Sequence, residues 1–231
     1  MQTLKILSEL LCYPQPDLIE HLPEMGQVLD QEGGLPEAER ARLKAWMTEL
    51  GRAELMALQA EYVALFDRGR ALSLHLFEHV HGESRSRGQA MVDLLNLYQS
   101  HGLKLSAREL PDFIPLFLEY LSRRPLPEAR DLLGEAMPIF TLLRARLEKR
   151  RSDYYVVFAS LASLAGQPQD DREIQARVAA EPSDHTFEAL DRAWVEEPIS
   201  FGPGAVCSAT VSNTQTVQWV ERPKSQASGS P

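Results

Sequence analysis

The stretch EARDLLGEAMPIFTLLRARLEKRRSDYYVVFASLASLAG, residues 128–166, decides the fold class. Its apolar residues recur three and four positions apart, which is the spacing of one face of an α-helix. Pro138 predicts a kink, because proline inside a helix removes a backbone hydrogen bond. A joint is expected near Arg151–Asp153. The stretch therefore predicts two long helices in sequence.

Helical periodicity continues through most of the remaining chain, and no run of alternating β-branched residues is long enough for a sheet, except QTVQWV at 215–220. We predict an all-α fold, with a single helical bundle domain over residues 1–198. Residues 199–231 are dominated by Gly, Ser, Thr and Pro. We expect them to form a flexible or loosely docked tail.

Composition limits the classes of function. The 231 residues are 44% hydrophobic and 25% charged, and the net charge is −9. An acidic chain argues against a nucleic acid partner and favours a basic one. Two cysteines are too few for a disulfide framework, no secretory signal begins the chain, and no apolar run is long enough for a membrane span. We expect a cytoplasmic protein, and a monomer.

The sequence HLFEH at 75–79 matches a zinc peptidase motif, H-x-x-E-H. On a helix, His75 and His79 would share one face, with Glu78 as the catalytic base. A catalytic zinc also needs a third ligand, and the flanking residues offer no ligand set. The alternatives are a metal-dependent hydrolase and a partly buried helix face whose histidines are hydrogen-bonded locally.

Arg85 and Arg87 lie in HGESRSRGQ, at the predicted start of a helix. Free backbone N–H groups and two guanidinium groups could hold a nucleotide phosphate there. The glycine spacing is neither a P-loop nor a dinucleotide fingerprint. A solvated helix start is the alternative.

The stretch PDFIPLFLEYL at 111–121 predicts a helix capped by Asp112, with Pro115 in its first turn. Asp112 and Glu119 flank apolar and aromatic side chains, so this helix could offer an acid-edged apolar groove to a basic amphipathic helix. An ordinary core helix with a capping aspartate is the alternative.

The sequences LFDRGRALSLHLFEHVHGESRSRGQAMVDLL at 65–95 and ELPDFIPLFLEYL at 109–121 resemble the respiratory nitrate reductase assembly chaperones. This family is also called the nitrate reductase delta subunit and belongs to the redox-enzyme maturation chaperone superfamily. The resemblance covers most of residues 1–195, and its most specific motif is FEHVHGESRSRGQAM at 77–91.

The resemblance implies an all-α chaperone without enzymatic activity and without a stably bound cofactor. It implies binding to the N-terminal segment of the nitrate reductase α subunit, a remnant of a twin-arginine signal. It also implies that the αβ complex is held in the cytoplasm while the molybdenum guanine dinucleotide cofactor is inserted. Transient contact with that cofactor through Arg85 and Arg87 would be a further role.

The resemblance carries over residue by residue. Pro111 and Asp112 match a Pro-Asp-His-like element, but Phe113 stands where His is usual, and Glu119 matches an acidic position. His75 occupies a position that is apolar in the family, so the H-x-x-E-H pattern depends on a residue the family does not use. The family motif is otherwise matched at Glu78, His79, His81, Gly82 and Glu83. We predict these peptide-binding residues: Asp112, Phe113, Leu116, Phe117, Glu119, Tyr120, Phe77, Glu78 and His79.

Overall fold

The computed structural model describes residues 1–80, 85–105, 109–166 and 171–182, with only the backbone for Arg85. Within these ranges the chain forms α-helices and no β-strand, so the all-α prediction is confirmed. The expected domain boundary at 198/199 and the tail lie outside the described residues. The helices are α1 Gln2–Leu10, α2 Pro16–Glu32, α3 Glu37–Arg52, α4 Leu55–Tyr62, α5 Leu76–Val80, α6 Arg85–Ser100, α7 Ile114–Ser122, α8 Leu126–Lys149, α9 Tyr155–Ala165 and α10 Arg172–Ala180.

Local sequence signals explain several helix ends. Gly33 and Gly166 close α2 and α9 in the left-handed conformation, with φ of 61° and 70°, which glycine adopts without steric cost. The predicted joint is confirmed, since α8 ends at Lys149 and α9 begins at Tyr155. α8 continues through Pro138.

The core lies where α8 and α9 pack against each other, with α1, α3 and α7 around them. Phe140 and Phe158, both fully buried, meet across the α8–α9 contact with ring centroids 5.9 Å apart. A π-helical turn at Val63–Asp67 follows α4 and carries Phe66 into the core, 5.1 Å from the ring of Tyr154. This packing holds α1 and α7 in fixed positions at one side of the bundle.

Helix α1 lies between α2 and α7 and runs antiparallel to both. The Glu32 carboxylate, at the end of α2, accepts hydrogen bonds from the backbone N–H groups of Gln2 and Thr3 at 2.8 and 2.6 Å. This carboxylate satisfies donors at the start of α1 that have no partner within the helix. At its other end, α1 contacts α7 through the Ser8 hydroxyl, which donates to the Pro115 carbonyl at 2.6 Å.

Helix α10 is held against α8 by charged side chains. Arg146 donates through Nε and Nη2 to the two carboxylate oxygens of Glu181, at 2.9 and 2.7 Å. Its Nη1 donates to the Ala71 carbonyl at 2.8 Å. One guanidinium therefore joins α8 to the end of α10 and to the segment before α5. None of the helices in the described ranges combines the length and hydropathy that a bilayer span requires.

Candidate functional site

The segment before α5 and the start of α7 meet through main-chain hydrogen bonds, and we call this contact the α5–α7 junction. The Leu76 amide donates to the Asp112 carbonyl at 3.0 Å, and the Ile114 amide donates to the Leu74 carbonyl at 2.8 Å. These bonds form an isolated antiparallel bridge that pairs His75 with Phe113. The two motifs that carry the family resemblance are therefore in direct contact.

Asp112 is the buried centre of this junction, with 0% of its surface exposed. Its Oδ2 accepts a hydrogen bond from the Phe77 amide at 3.1 Å, at the start of α5, and its Oδ1 lies 3.1 Å from His75 Nδ1. The predicted N-cap of α7 is wrong, because Phe113 holds that position and the carboxylate is turned toward α5 instead. Pro115 does lie in the first turn of α7, as predicted.

Asp112 therefore does not form the exposed acidic rim of a groove. A carboxylate that is out of contact with solvent and bonded to an amide and an imidazole has no free oxygen to offer a client arginine. Its role in this structure is to hold the start of α5 against the start of α7.

His75 and His79 have different partners. The hydrogen bond to Asp112 raises the pKa of His75 above its ordinary 6.5. Burial lowers the pKa of His79, whose Nε2 lies 2.8 Å from the Ser73 carbonyl and must carry the proton that makes this bond. The two imidazoles do not converge with Glu78. Among the described residues, no group of three His, Cys, Asp or Glu is placed to hold a metal ion.

Glu78 contacts Arg87 of α6, with 3.3 Å between Oε1 and Nη2. Arg87, one of two predicted phosphate ligands, therefore has its guanidinium engaged by a carboxylate. The side chain of Arg85 lies outside the described residues, as do His81, Gly82 and Glu83.

An open groove of about 300 Å³ lies along α7, and we call it the α7 groove. It brings together three of the predicted peptide-binding residues, Leu116, Glu119 and Tyr120. The side chain of Phe117, by contrast, points into the core and is 5% exposed. The other residues that line this groove are Tyr98, Leu103, Lys104, Leu105 and Arg123.

The charged rim of the α7 groove differs from the sequence prediction. Glu119 is its one acidic lining residue, and it already pairs with Arg123 at 3.1 Å and with Lys5 of α1 at 3.3 Å. Lys104 adds a second cation to the lining. The groove therefore has an apolar and aromatic floor but no excess of acid.

A larger groove of about 570 Å³, the α1–α2 groove, was not predicted from the sequence. Its floor is apolar and its edges carry Glu9, Asp17 and Glu24. The signal that could have located it is an incomplete apolar stripe on α2 beside exposed acids. The apolar and aromatic lining residues are Ile6, Tyr13, Leu18, Met25 and Val28.

Over the described residues the protein is a helical bundle with two open grooves. Residues 32–160 match the family described as nitrate reductase delta subunit, and the chain belongs to that family. The family resemblance inferred from the sequence is thus confirmed.

Relatives in this family are similar to the chain over most of its length. It is 47% identical over 201 residues to the nitrate reductase molybdenum cofactor assembly chaperone NarJ of Escherichia coli strain K12, covering 87% of this chain and 85% of that protein. It is 42% identical to the probable nitrate reductase molybdenum cofactor assembly chaperone NarW of the same strain, covering 87% and 84%. It is 30% identical to the probable NarJ chaperone of Bacillus subtilis strain 168, covering 75% and 96%.

All three relatives are named as assembly chaperones, which are not enzymes. The prediction that this chain is not an enzyme is confirmed on that basis. The alternative of a metal-dependent hydrolase built on His75, Glu78 and His79 is wrong. His75 completes the H-x-x-E-H pattern, but its imidazole is bonded to the Asp112 carboxylate.

Proposed function

We propose that this protein is a cytoplasmic chaperone that binds the N-terminal segment of the nitrate reductase α subunit. In this role it assists molybdenum cofactor insertion into the αβ complex before membrane attachment. The observation that carries the proposal is the 47% identity over 87% of the chain to a protein named for nitrate reductase molybdenum cofactor assembly. Open apolar grooves on a rigid helical frame are the feature such a binding role requires.

The α7 groove offers the accessible part of the predicted peptide-binding set. Leu116 is half-buried and lines the groove, so it can contact an apolar client side chain, whereas Tyr120 forms part of the groove wall but is only 2% exposed. Phe77 and Phe113 are also half-buried, at the α5–α7 junction. Burial of apolar surface contributes about 25 cal/mol per Å², and ordering a flexible segment offsets part of that gain. We therefore expect a moderate affinity, which suits a chaperone that must release its client.

Glu78, His79, Asp112 and Phe117 support this surface in the proposal rather than contact the client through their functional groups. Asp112 and Phe117 are buried, and Glu78 and His79 are bonded to Arg87 and to the Ser73 carbonyl. Substituting Glu78, His79 or Asp112 would change client binding by altering the junction that carries Phe77 and Phe113, whereas substituting Phe117 would lower the stability of the core.

A titration tests the proposal. The ligand is a synthetic peptide of about the first 15 residues of the cognate α subunit, and the protein is the full chain. We expect Leu116→Ser to weaken binding about tenfold, because a buried Leu side chain contributes about 1.5–3 kcal/mol. The matched control is Leu132→Ser on α8, a half-buried leucine outside both grooves. No measurable binding by the wild type would overturn the proposed function.

Co-purification provides the cellular form of this test. The α subunit should co-purify with the chaperone, and deleting about its first 15 residues should abolish the association. Retention of the truncated subunit at the full level would contradict recognition of that segment.

Direct contact of the molybdenum guanine dinucleotide with Arg85 and Arg87 is a separate proposal. Glu78 pairs with Arg87 at 3.3 Å, so a phosphate would have to displace that carboxylate. Glu78→Gln should therefore strengthen binding of guanosine diphosphate if this contact exists. Equal, undetectable binding by the wild type and by this variant would reject it.

A further inference from the structure

The α1–α2 groove is formed by one face from each of two antiparallel helices. On α2 its lining residues Leu18, Met25 and Val28 are spaced as one helical face, and all three are half-buried. On α1 the residues Lys5 and Glu9 follow each other one turn apart. Since the other faces of both helices pack on the core, the apolar face of α2 remains open, and α1 borders it with charged side chains.

The length of the groove suits a short helix. Its lining runs along α1 from Gln2 to Glu9, with Cys12 just beyond the end of that helix, and along α2 from Asp17 to Val28. A helix rises about 1.5 Å per residue, so the wall on α1 is roughly 11 Å long and the wall on α2 roughly 17 Å. A docked helix of about ten residues, nearly three turns, would cover the floor from end to end.

The edges of the groove are acidic. Asp17 and Glu24 are exposed, and within the part of the chain that the structure describes neither has an ion-pair partner. Glu9 pairs with Lys5 at 2.7 Å, and Lys5 also reaches Glu119 at 3.3 Å. Lys5 is thus shared between two acids, whereas Asp17 and Glu24 lie beside His21, an exposed histidine that also lines the groove and whose Nδ1 lies 2.7 Å from the Asp17 carbonyl.

The two grooves differ in the balance of acidic and basic lining residues. There Lys104 and Arg123 outnumber Glu119 among the lining residues. The Lys5–Glu119 ion pair lies between the two grooves, because Lys5 lines one and Glu119 lines the other. A basic ligand is therefore attracted to the α1–α2 groove and gains no net attraction from the α7 groove.

We propose that the α1–α2 groove docks the apolar face of a cationic amphipathic helix, with Asp17 and Glu24 facing its basic side chains. This inference rests on the proposed function, in which the docked helix belongs to the N-terminal segment of the α subunit. In this proposal the α1–α2 groove selects a positively charged segment, and the α7 groove contributes apolar contact without selecting for charge.

The test compares two designed 15-residue helical peptides with the same leucine face, one carrying lysines and one carrying glutamates, together with the α subunit peptide. Binding to the full chain is titrated at about 20 and 200 mM salt. We expect the lysine peptide to bind and the glutamate peptide to bind at least tenfold more weakly. The double variant Asp17→Asn/Glu24→Gln should lose about three- to tenfold in affinity for the lysine peptide at low salt, with a flatter salt dependence.

Two matched controls accompany this variant. Asp131→Asn/Glu135→Gln removes the same charge from exposed positions on α8 and should leave affinity unchanged. Met25→Ser, in the groove floor, should weaken binding, whereas Met56→Ser, at a methionine that is 73% exposed on α4, should not. Urea unfolding of each variant checks that the fold is kept.

The outcomes separate the two proposals. If the α subunit peptide binds the wild type but the Asp17/Glu24 variant matches the α8 control, the groove inference is overturned and the proposed function stands. If the lysine peptide binds through Asp17 and Glu24 but the α subunit peptide does not bind, the groove is supported and the proposed function fails. If neither peptide binds, both are wrong.

Discussion

The carboxylate of Asp112 accepts the backbone N–H of Phe77 at 3.1 Å, across 35 positions in the sequence. Phe77 lies in the first turn of α5, where backbone donors have no partner within the helix and the helix dipole favours negative charge. The same carboxylate lies 3.1 Å from His75 Nδ1. Asp112, which lies just before α7, therefore accepts a hydrogen bond from the first turn of another helix, α5.

Removal of this carboxylate should destabilise the protein. Asp112→Ala leaves the Phe77 amide and the His75 imidazole without their buried acceptor, and each buried unsatisfied group costs about 1–3 kcal/mol. We expect a loss of about 3 kcal/mol in the free energy of unfolding by urea, and a smaller loss for Asp112→Asn. Asp131→Asn, an exposed aspartate, is the control and should stay close to wild type. A loss in Asp112→Ala no greater than in this control would contradict the capping role.

The pairing of His75 with Phe113 predicts a compensating exchange. The family resemblance predicts an apolar residue at 75 and a histidine at 113, and the two side chains face each other across the junction with ring centroids 5.5 Å apart. We expect His75→Phe and Phe113→His each to destabilise the fold, and the double variant to recover by about 1 kcal/mol relative to the sum of the two. Urea unfolding of all four proteins measures the coupling. Additive losses would show that an imidazole at 113 does not replace the one at 75.

The two histidines of α5 and its entrance should give opposite pH dependences. His75 has a raised pKa through its bond to Asp112, so its contribution is fully present below the ordinary pKa of 6.5 and is lost as pH rises through the folded pKa. His79 has a lowered pKa because it is buried, so its contribution is present above 6.5 and is lost as pH falls through the folded pKa.

Stability curves between about pH 5 and 8, the range in which histidine titrates, measure both effects. Relative to wild type, His75→Gln should lose more stability at the acidic end, whereas His79→Gln should lose more at the neutral end. Curves displaced in parallel would show that neither imidazole changes its pKa on folding.

Adjacent residues on α7 should separate folding from binding. Phe117 is 5% exposed in the core, and truncation of a buried Phe costs about 3–5 kcal/mol. Phe117→Ala should therefore lower the midpoint of unfolding strongly. Leu116→Ser should change stability less and client affinity more, because its side chain lines the α7 groove. Equal stability losses in the two variants would contradict this division.

The ion pair between Arg146 and Glu181 should control the docking of α10. Glu181→Gln removes the charge that receives two guanidinium bonds, at 2.9 and 2.7 Å. We expect a loss of about 1–3 kcal/mol, as for hydrogen bonds to charged groups, and faster amide hydrogen exchange over Arg172–Ala180. Glu173→Gln, an exposed residue on the same helix, is the matched control. Unchanged exchange in α10 would contradict its dependence on this pair.

Helix existence was predictable because periodicity is a local property. The apolar repeat in 128–166 predicted α8 and α9, and the joint between them lay where predicted. Pro115 was expected in the first turn of α7, since only a helix start tolerates a proline without losing a backbone bond. Membership of the chaperone family was also predictable, because each of its motifs is a continuous stretch of sequence.

The partners of the charged side chains were not predictable. Sequence spacing placed Asp112 and Glu119 at the edge of one groove, yet Asp112 is buried at the α5–α7 junction and Glu119 pairs with Lys5 and Arg123. A carboxylate bonds to the donors that packing brings within about 3 Å, and most of these lie far away along the chain.

The amino-acid sequence by itself determined the all-α class, the joint between α8 and α9 and the family, because hydrophobic period and proline act on neighbouring residues. Tertiary structure alone decided which acids are paired with a cation and which are not. Glu9 shares Lys5, Glu119 is paired, and Asp17 and Glu24 remain beside an apolar floor that exists only where α1 and α2 lie side by side. The groove is formed by residues of two helices, so the sequence of either helix alone does not define it. Its net charge depends on which of its acidic side chains are paired with a cation in the folded protein.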